Sequence, residues 1–394
     1  MTKQASPLSE TVLYVDHELS EIENTIDWLR YLSPTNNEAR WQDFVTSGYK
    51  KVPALTYEEP KFKFDQISDR LTALQGQAIG NSVAGLFLKE KISELQLQLS
   101  LLKSIDKDNF ITASIALFGG TSPSLQQTAY KILKQVPEIE PQDMEASAED
   151  ILSKANAWIE EFKGQHPNFT HTAKIENDLN SGLMVSRGNL KISSQIKVPK
   201  ARIIPLVAHE VGIHMATRFN GSKQPLKTLE TGLAGYDSMQ EGLAVVAEYL
   251  AGYLPPKRLR ILAARVVATA LAAERQSVEE IFNCLAEEHH LSPEDAFDTA
   301  VRAKRGGGLS KDALYLKGVI EVLAYFKQGG KLDTLLIGKY DLKHREQIEQ
   351  LLNEGIIKPA ALIPKFFHES KTKERLDKLK SLAVTDFYQK EPEL

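Results

Sequence analysis

The feature that most constrains this chain is the run His209-Glu210-Val211-Gly212-Ile213-His214. It sits in an apolar, helix-like stretch that begins at Ile203 and continues through Met215-Ala216-Thr217. Neutral imidazole is a favoured zinc ligand, and a glutamate beside a zinc-bound water is the general base of metallopeptidases. The common zinc-helix pattern, His-Glu-x-x-His, places its imidazoles four residues apart on one face. Here they are five apart. In a regular helix five residues carry the second imidazole about 140° around from the first, so the pair converges only if one extra residue is absorbed locally. A single π-type turn does this, and such bulges concentrate at functional sites. Gly212, between the histidines, is the residue expected to relax the backbone there.

The spacing predicts a second helix over Tyr236–Leu250, with Asp237 or Ser238 as N-cap and Glu241 in its first turn. The small residues Gly242 and Ala244 would let it pack closely on the histidine helix and bring Glu241 toward the imidazoles. Two His and one Glu leave a coordination position open, as a catalytic zinc requires. Glu248, seven residues on and near the same face, is placed to hold a ligand histidine from behind. A local reading competes: Ser238-x-x-Glu241 is also a capping box, which would close Glu241 back on the cap. If Asp237 is the cap, Gln240 fills that role and Glu241 is free.

Together these strings, with Asn220-Gly221, Gln224-Pro225 and Gln240-Glu241-Gly242-Leu243-Ala244, resemble a family of zinc peptidases. Its prokaryotic members are the QEGLA-motif proteins and its animal members the microtubule-associated tyrosine carboxypeptidases. The resemblance extends to Lys311-Asp312-x-x-Tyr315-Leu316-x-Gly318 and more loosely covers Leu117 to Pro364. It implies one zinc per chain, held by His209, His214 and Glu241, with Glu210 as catalytic base. The family usually has Thr where this chain has Ile213, so a hydroxyl that would bond the bulged backbone is missing.

The surrounding chain bounds this reading. A net charge of −4 gives no overall electrostatic footprint for nucleic acid. One cysteine, Cys284, excludes an intrachain disulfide and fits a reducing compartment. Core packing is the expected role of Cys284, and a surface helix end that of His289-His290. There is no apolar leader after Met1 and no run near the roughly 20 residues of a membrane span. The expectation is a cytoplasmic protein without a membrane partner, of unassigned oligomeric state.

The fold class expected is α+β, mainly helical and zincin-like, with a small antiparallel sheet ahead of the zinc helix and an extensive helical surround. Residues 1–165 read as an N-terminal helical lobe, a scaffold wall or substrate-facing lid, and residues 166–394 as the catalytic region with C-terminal helices. Apolar spacing predicts helices over Leu8–Leu32, Glu90–Ile105, Phe110–Phe118, Ser124–Gln135 and Ser147–Lys163. Thr170–Glu176 and Leu183–Ser193 read as strands, with a turn at Arg187-Gly188-Asn189. Gly182–Ser186, including Met184, reads either as an edge that takes substrate backbone by strand addition or as part of an ordinary hairpin packing on the zinc helix. Further helices are expected over Lys257–Ala273, Val278–Glu288, Pro293–Ala303 and Ser310–Lys327.

The function expected is removal of a carboxy-terminal residue, tyrosine or another aromatic among them, from a peptide or protein tail. Arg305 and Lys311 flank the triple glycine Gly306-Gly307-Gly308 and are the expected grip on the terminal carboxylate, with Asp312 orienting a cation. Gln224 and Met184 are further substrate-binding expectations. Tyr315 is the expected oxyanion donor, with Tyr236 in reserve. The competing functions are a catalytically silent zinc-binding regulator and a zinc aminopeptidase or endopeptidase. An acidic pocket for an α-amine would mark the aminopeptidase, and an open-ended groove the endopeptidase.

Overall fold

Serine sets the start of many of the helices. Ser9, Ser82, Ser122, Ser147, Ser277 and Ser292 each accept a backbone N–H from three residues on, satisfying a donor that the first turn would orphan, typically about 1 kcal/mol each. The computed structural model describes residues 8–393 except 27, 53, 140–144, 178, 180, 306 and 307. The described chain is mainly helical with few strands. The expected Leu8–Leu32 helix is two, Glu10–Thr25 and Trp28–Leu32, separated by the extended backbone of Ile26. Helices Phe110–Phe118, Pro123–Gln135 and Ala148–Gln165 fall where apolar spacing placed them, while the helix expected from Glu90 begins earlier and runs Val83–Lys103.

The sheet is mixed rather than antiparallel. Leu183–Ser186 and Asn189–Ser193 form the expected hairpin around Arg187 and Gly188, both at positive φ (49° and 82°), as a two-residue primed turn requires. Ala173–Glu176, however, pairs in parallel with Asn189–Ser193. The returning hairpin strand is therefore central, and Leu183–Ser186 is left at one edge.

One side of the sheet layer is filled by the smaller of two cores. Ile151 and Phe162 of the Ala148–Gln165 helix meet Leu190 and Ile192 of the central strand and Val211, Met215 and Phe219 of the histidine helix. The larger core runs from Val12 to Phe387, drawing on helices before and after residue 165. Buried polar contacts join the same two parts. Asp16 accepts the backbone N–H groups of Lys227 and Thr228, and Lys91 pairs with Glu23 (3.0 Å) and Glu94 (2.7 Å), the latter also holding Gly235 N–H.

Two amide side chains fasten the C-terminal third. Asn220 donates to the carbonyls of Leu336 and Leu362 and accepts Leu362 N–H. Gln224 donates to Lys358 O and accepts Lys358 N–H, so it is a buried staple rather than a substrate contact. Among the described residues no helix is long and apolar enough to cross a membrane.

Candidate active site

The helix that carries the histidines changes register as it passes through them. An α-helical turn, Ile203–Val207, leads into a π-helical segment, Ala208–Met215, which returns to α-helix over Ala216–Ser222. The wider turn brings residues five apart onto one face. The imidazoles of His209 and His214 accordingly lie 4.9 Å apart, centroid to centroid. Gly212 does not serve here by bending the backbone, for it has no positive φ. A β-carbon there would meet Trp158 at 3.1 Å and Phe366 at 3.2 Å, so glycine is what lets two stacked aromatics close over the bulge. The hydroxyl missing at Ile213 is supplied one turn later: Thr217 Oγ1 donates to the Ile213 carbonyl at 2.7 Å.

Glu241 arrives on the helix Asp237–Leu250. Neither expected cap operates. Ser238 donates its hydroxyl to Glu321, and Asp237 is already helical and pairs with Lys311 at 2.9 Å. Glu241 is thus free of a capping box. Its two oxygens divide their roles. Oε1 faces Lys311 Nζ at 3.6 Å, while Oε2 lies 3.7 Å from His209 Nε2 and 3.5 Å from His214 Nε2. Gly242 does not face the histidine helix as the sequence suggested. A β-carbon on it would lie 2.1 Å from the backbone carbon of Gly318, so the Asp237–Leu250 and Ala313–Lys327 helices touch main chain to main chain. That crossing packs the Lys311–Tyr315 segment against Glu241.

Behind His209 stands Glu248, fully buried. Its Oε1 accepts Nδ1–H of His209 at 2.9 Å, which fixes the tautomer and leaves Nε2 directed at Glu241. Arg202 (2.5 Å) and Arg258 (3.1 Å) neutralise Glu248 in turn. Burial alone would lift Glu248, but these two guanidinium groups and His209 hold it well below the usual carboxylate range. Burial also opposes charge on His209. The surrounding carboxylates Glu241, Glu248 and Glu210 outweigh it and raise the imidazole well above its ordinary range, so a metal taken up there displaces the Nε2 proton while Nδ1–H stays on Glu248.

The donor set fits a zinc-type cation. The ligand-capable atoms of His209, His214 and Glu241 all lie within 4.8 Å of one another. Glu241 Oε2 is buried with no hydrogen-bond partner, a cost of about 1–3 kcal/mol or more for a charged group unless something else fills its coordination. Two imidazoles, one of them backed by a carboxylate, and one carboxylate oxygen are the chemistry of a three-ligand catalytic zinc. Glu210 Oε1 lies 4.0 Å from His209 Nε2, beside the triad.

Tyr315 is half-buried on the neighbouring helix, with Arg265 5.3 Å and Lys311 5.9 Å from its ring centre. Burial and the negative charge of Glu241 push its hydroxyl well above the usual range, so it stays a hydrogen-bond donor. Arg305 is placed differently from the expectation. It belongs with Arg302 and Arg265 around Asp312, where Arg302 binds the carboxylate bidentately at 2.7 Å. Burial and Arg302 bring Arg305 down to about 10, and its Nε is buried without a partner. Asp312 thus orients a cation, as expected, but Arg305 does not line the cleft among the described residues. Gly306 and Gly307 lie outside the described residues.

A cleft of about 140 Å³ is connected to the triad through Lys311, which lines it and faces Glu241. Met184, Val185 and Ser186 of the edge strand form one side, and Ile26, Trp28 and Phe118 from the N-terminal part of the chain another. Arg187, Arg218, Lys311 and Lys339 line it, with Tyr236 and Asp237. Its acids are engaged, Glu23 by Lys91 and Asp237 by Lys311. Lys339 has no carboxylate partner among the described residues; it lies 5.4 Å from the Tyr236 ring centre. Lys339 carries no signal in the sequence, since no helical or motif spacing links it to the histidines and only the fold brings it in. No curated protein matches the chain. The family model for microtubule-associated tyrosine carboxypeptidases matches residues 42–383, a span that holds the triad, Glu210, the edge strand and all four cleft cations, and the chain belongs to that family of peptidases.

Proposed function

We propose that the protein is a zinc metallopeptidase of zincin-like architecture that removes the carboxy-terminal residue of a peptide or protein tail. The observation that carries this reading is the Glu241 oxygen without a hydrogen-bond partner set between two imidazoles, its other oxygen facing Lys311, which also lines a basic cleft. His209, His214 and Glu241 would hold the zinc. When bound, the ion supplies Lewis acidity that lowers the pKa of water from about 15.7 toward about 7. Glu210 takes the proton of the attacking water and delivers it to the departing amine. Tyr315, kept protonated, donates to the oxyanion that develops on the scissile carbonyl. Glu248 holds His209 in the required tautomer, and Lys311 fixes the second oxygen of Glu241 so that the first stays with the imidazoles.

The free edge at Met184–Ser186 suits pairing with an extended peptide. Lys311 is committed to Asp237 and Glu241, and Arg305 to the Asp312 cluster. Arg218 is likewise engaged, by Glu230 and Asn24 (both 3.0 Å), so the terminal carboxylate is assigned to Lys339 and Arg187. The engaged state of Glu23 and Asp237 disfavours an aminopeptidase, which needs free acid groups for an α-amine. The N-terminal helices that wall the cleft disfavour an endopeptidase.

The test joins metal analysis to peptide turnover, starting with a peptide ending in tyrosine and then varying that residue. Wild type should carry about one catalytic zinc and strongly prefer a free acid to its amide. Glu210→Gln should keep the zinc and lose about 10²- to 10⁴-fold in turnover. Equal cleavage of acid and amide would sink the carboxypeptidase, and full turnover by Glu210→Gln would remove the assigned base.

A further inference from the structure

The register device that joins His209 to His214 occurs a second time. The helix Val278–Asn283 passes into a π-helical segment, Cys284–Glu288, that ends at His289. Cys284 and His289 are again five apart, with a carboxylate, Glu288, between them. The ligand-capable atoms of all three lie within 4.8 Å of one another. As a string, His289-His290 reads as a helix end because adjacent histidines do not converge. The structure separates them, His290 turning away at positive φ (53°) while His289 stays with Cys284 and Glu288.

We propose that Cys284, Glu288 and His289 form a second cation site, for a thiophilic divalent ion of the zinc class. The frame is built before any ion arrives. Arg260, buried, donates to the carbonyls of Leu133 (2.6 Å), Val136 (3.0 Å) and His289 (2.6 Å), which pins the end of the π-segment. Tyr130 packs on the His289 ring at 5.7 Å. His289 Nε2 is buried with no hydrogen-bond partner, an independent sign that the imidazole awaits a ligand. Glu288 is exposed, which leaves an entry path.

The charges close. A thiolate, a carboxylate and a neutral imidazole bring −2 to a +2 ion. Sulfur and nitrogen together select zinc-class ions over magnesium or calcium. As the metal–sulfur bond forms, the S–H bond breaks and its proton leaves to solvent, so uptake releases one proton per ion. The fourth position is open to water. The site does not depend on the peptidase assignment, since it shares no ligand with it.

The single cysteine makes the test specific, because any thiolate-to-metal absorption must come from Cys284. The full chain, stripped with a chelator, is titrated with Co²⁺ and followed in the near ultraviolet and by bound cobalt. A thiolate-to-cobalt charge-transfer band should appear in wild type and persist in His209→Ala. Cys284→Ser should lose the band and one equivalent of cobalt, and His289→Ala should weaken the band's titration by about tenfold or more, the lower end of what even a ligand's supporting partner is worth. Cobalt saturation of wild type without the band overturns the proposal. So does a band in His289→Ala that titrates as in wild type, which would mean that the imidazole is not a ligand.

Discussion

Lys339 sits in the cleft with its ammonium over the Tyr236 ring and no carboxylate at bonding distance among the described residues. Burial and then Arg218 bring its pKa down to about 8, against the weaker opposing pull of Asp237, Glu23 and Glu241. The sign of the consequence is fixed. Below about 8 the group is charged and can receive a carboxylate; above it the proton is lost and with it the attraction. The kcat/KM for a free-acid peptide, relative to that for its amide, should fall as pH rises through about 8, since kcat/KM reports the ionisation of free enzyme. Lys339→Met should flatten that fall. A ratio that does not change with pH in wild type, or a fall that persists in Lys339→Met, removes Lys339 from carboxylate binding. The five-residue spacing of His209 and His214 already required a π-turn, so the histidine pair was readable from the sequence, while Glu241 still competed with a capping-box role until the family resemblance was added. Lys339 was not, because an unpaired cation is recognisable only once its surroundings are known.

The Asp237–Leu250 and Ala313–Lys327 helices meet at Gly242 and Gly318, where an added β-carbon would fall 2.1 Å from one backbone carbon and 1.8 Å from the Ser238 carbonyl oxygen. No rotamer change relieves a clash with main chain, so the helices must separate. Gly242→Ala or Gly318→Ala should cost about 1–3 kcal/mol or more in unfolding free energy, the range for overpacking, measured as a lower urea midpoint at unchanged m. The same shift carries Lys311 away from Glu241 and weakens metal retention. A variant with wild-type midpoint would mean that the helices do not cross this closely. Where helices begin was legible, because serine caps and apolar spacing are local signals. What each helix packs against was not. Gly242 was assigned to the wrong neighbour, and the parallel pairing of Ala173–Glu176 was missed, since both depend on contacts remote in sequence.

The larger core takes Val12, Leu19 and Phe87 from before residue 165 and Leu243, Val319 and Phe387 from after it. Trp28 and Trp41 report on the early helices and Trp158 on the lid over Gly212. With the larger core shared across residue 165, tryptophan fluorescence and far-ultraviolet circular dichroism should lose signal together in a single urea transition. Two separated midpoints would show that the parts on either side of residue 165 fold independently. The described architecture also has a bearing on synthesis. His209 and His214 leave the ribosome long before Leu336, Leu362 and Phe366, yet Asn220 and Gly212 are completed only by those later residues. A peptidase so assembled has its histidine helix fastened only after Leu336, Leu362 and Phe366 have been made, more than a hundred residues behind the histidines themselves.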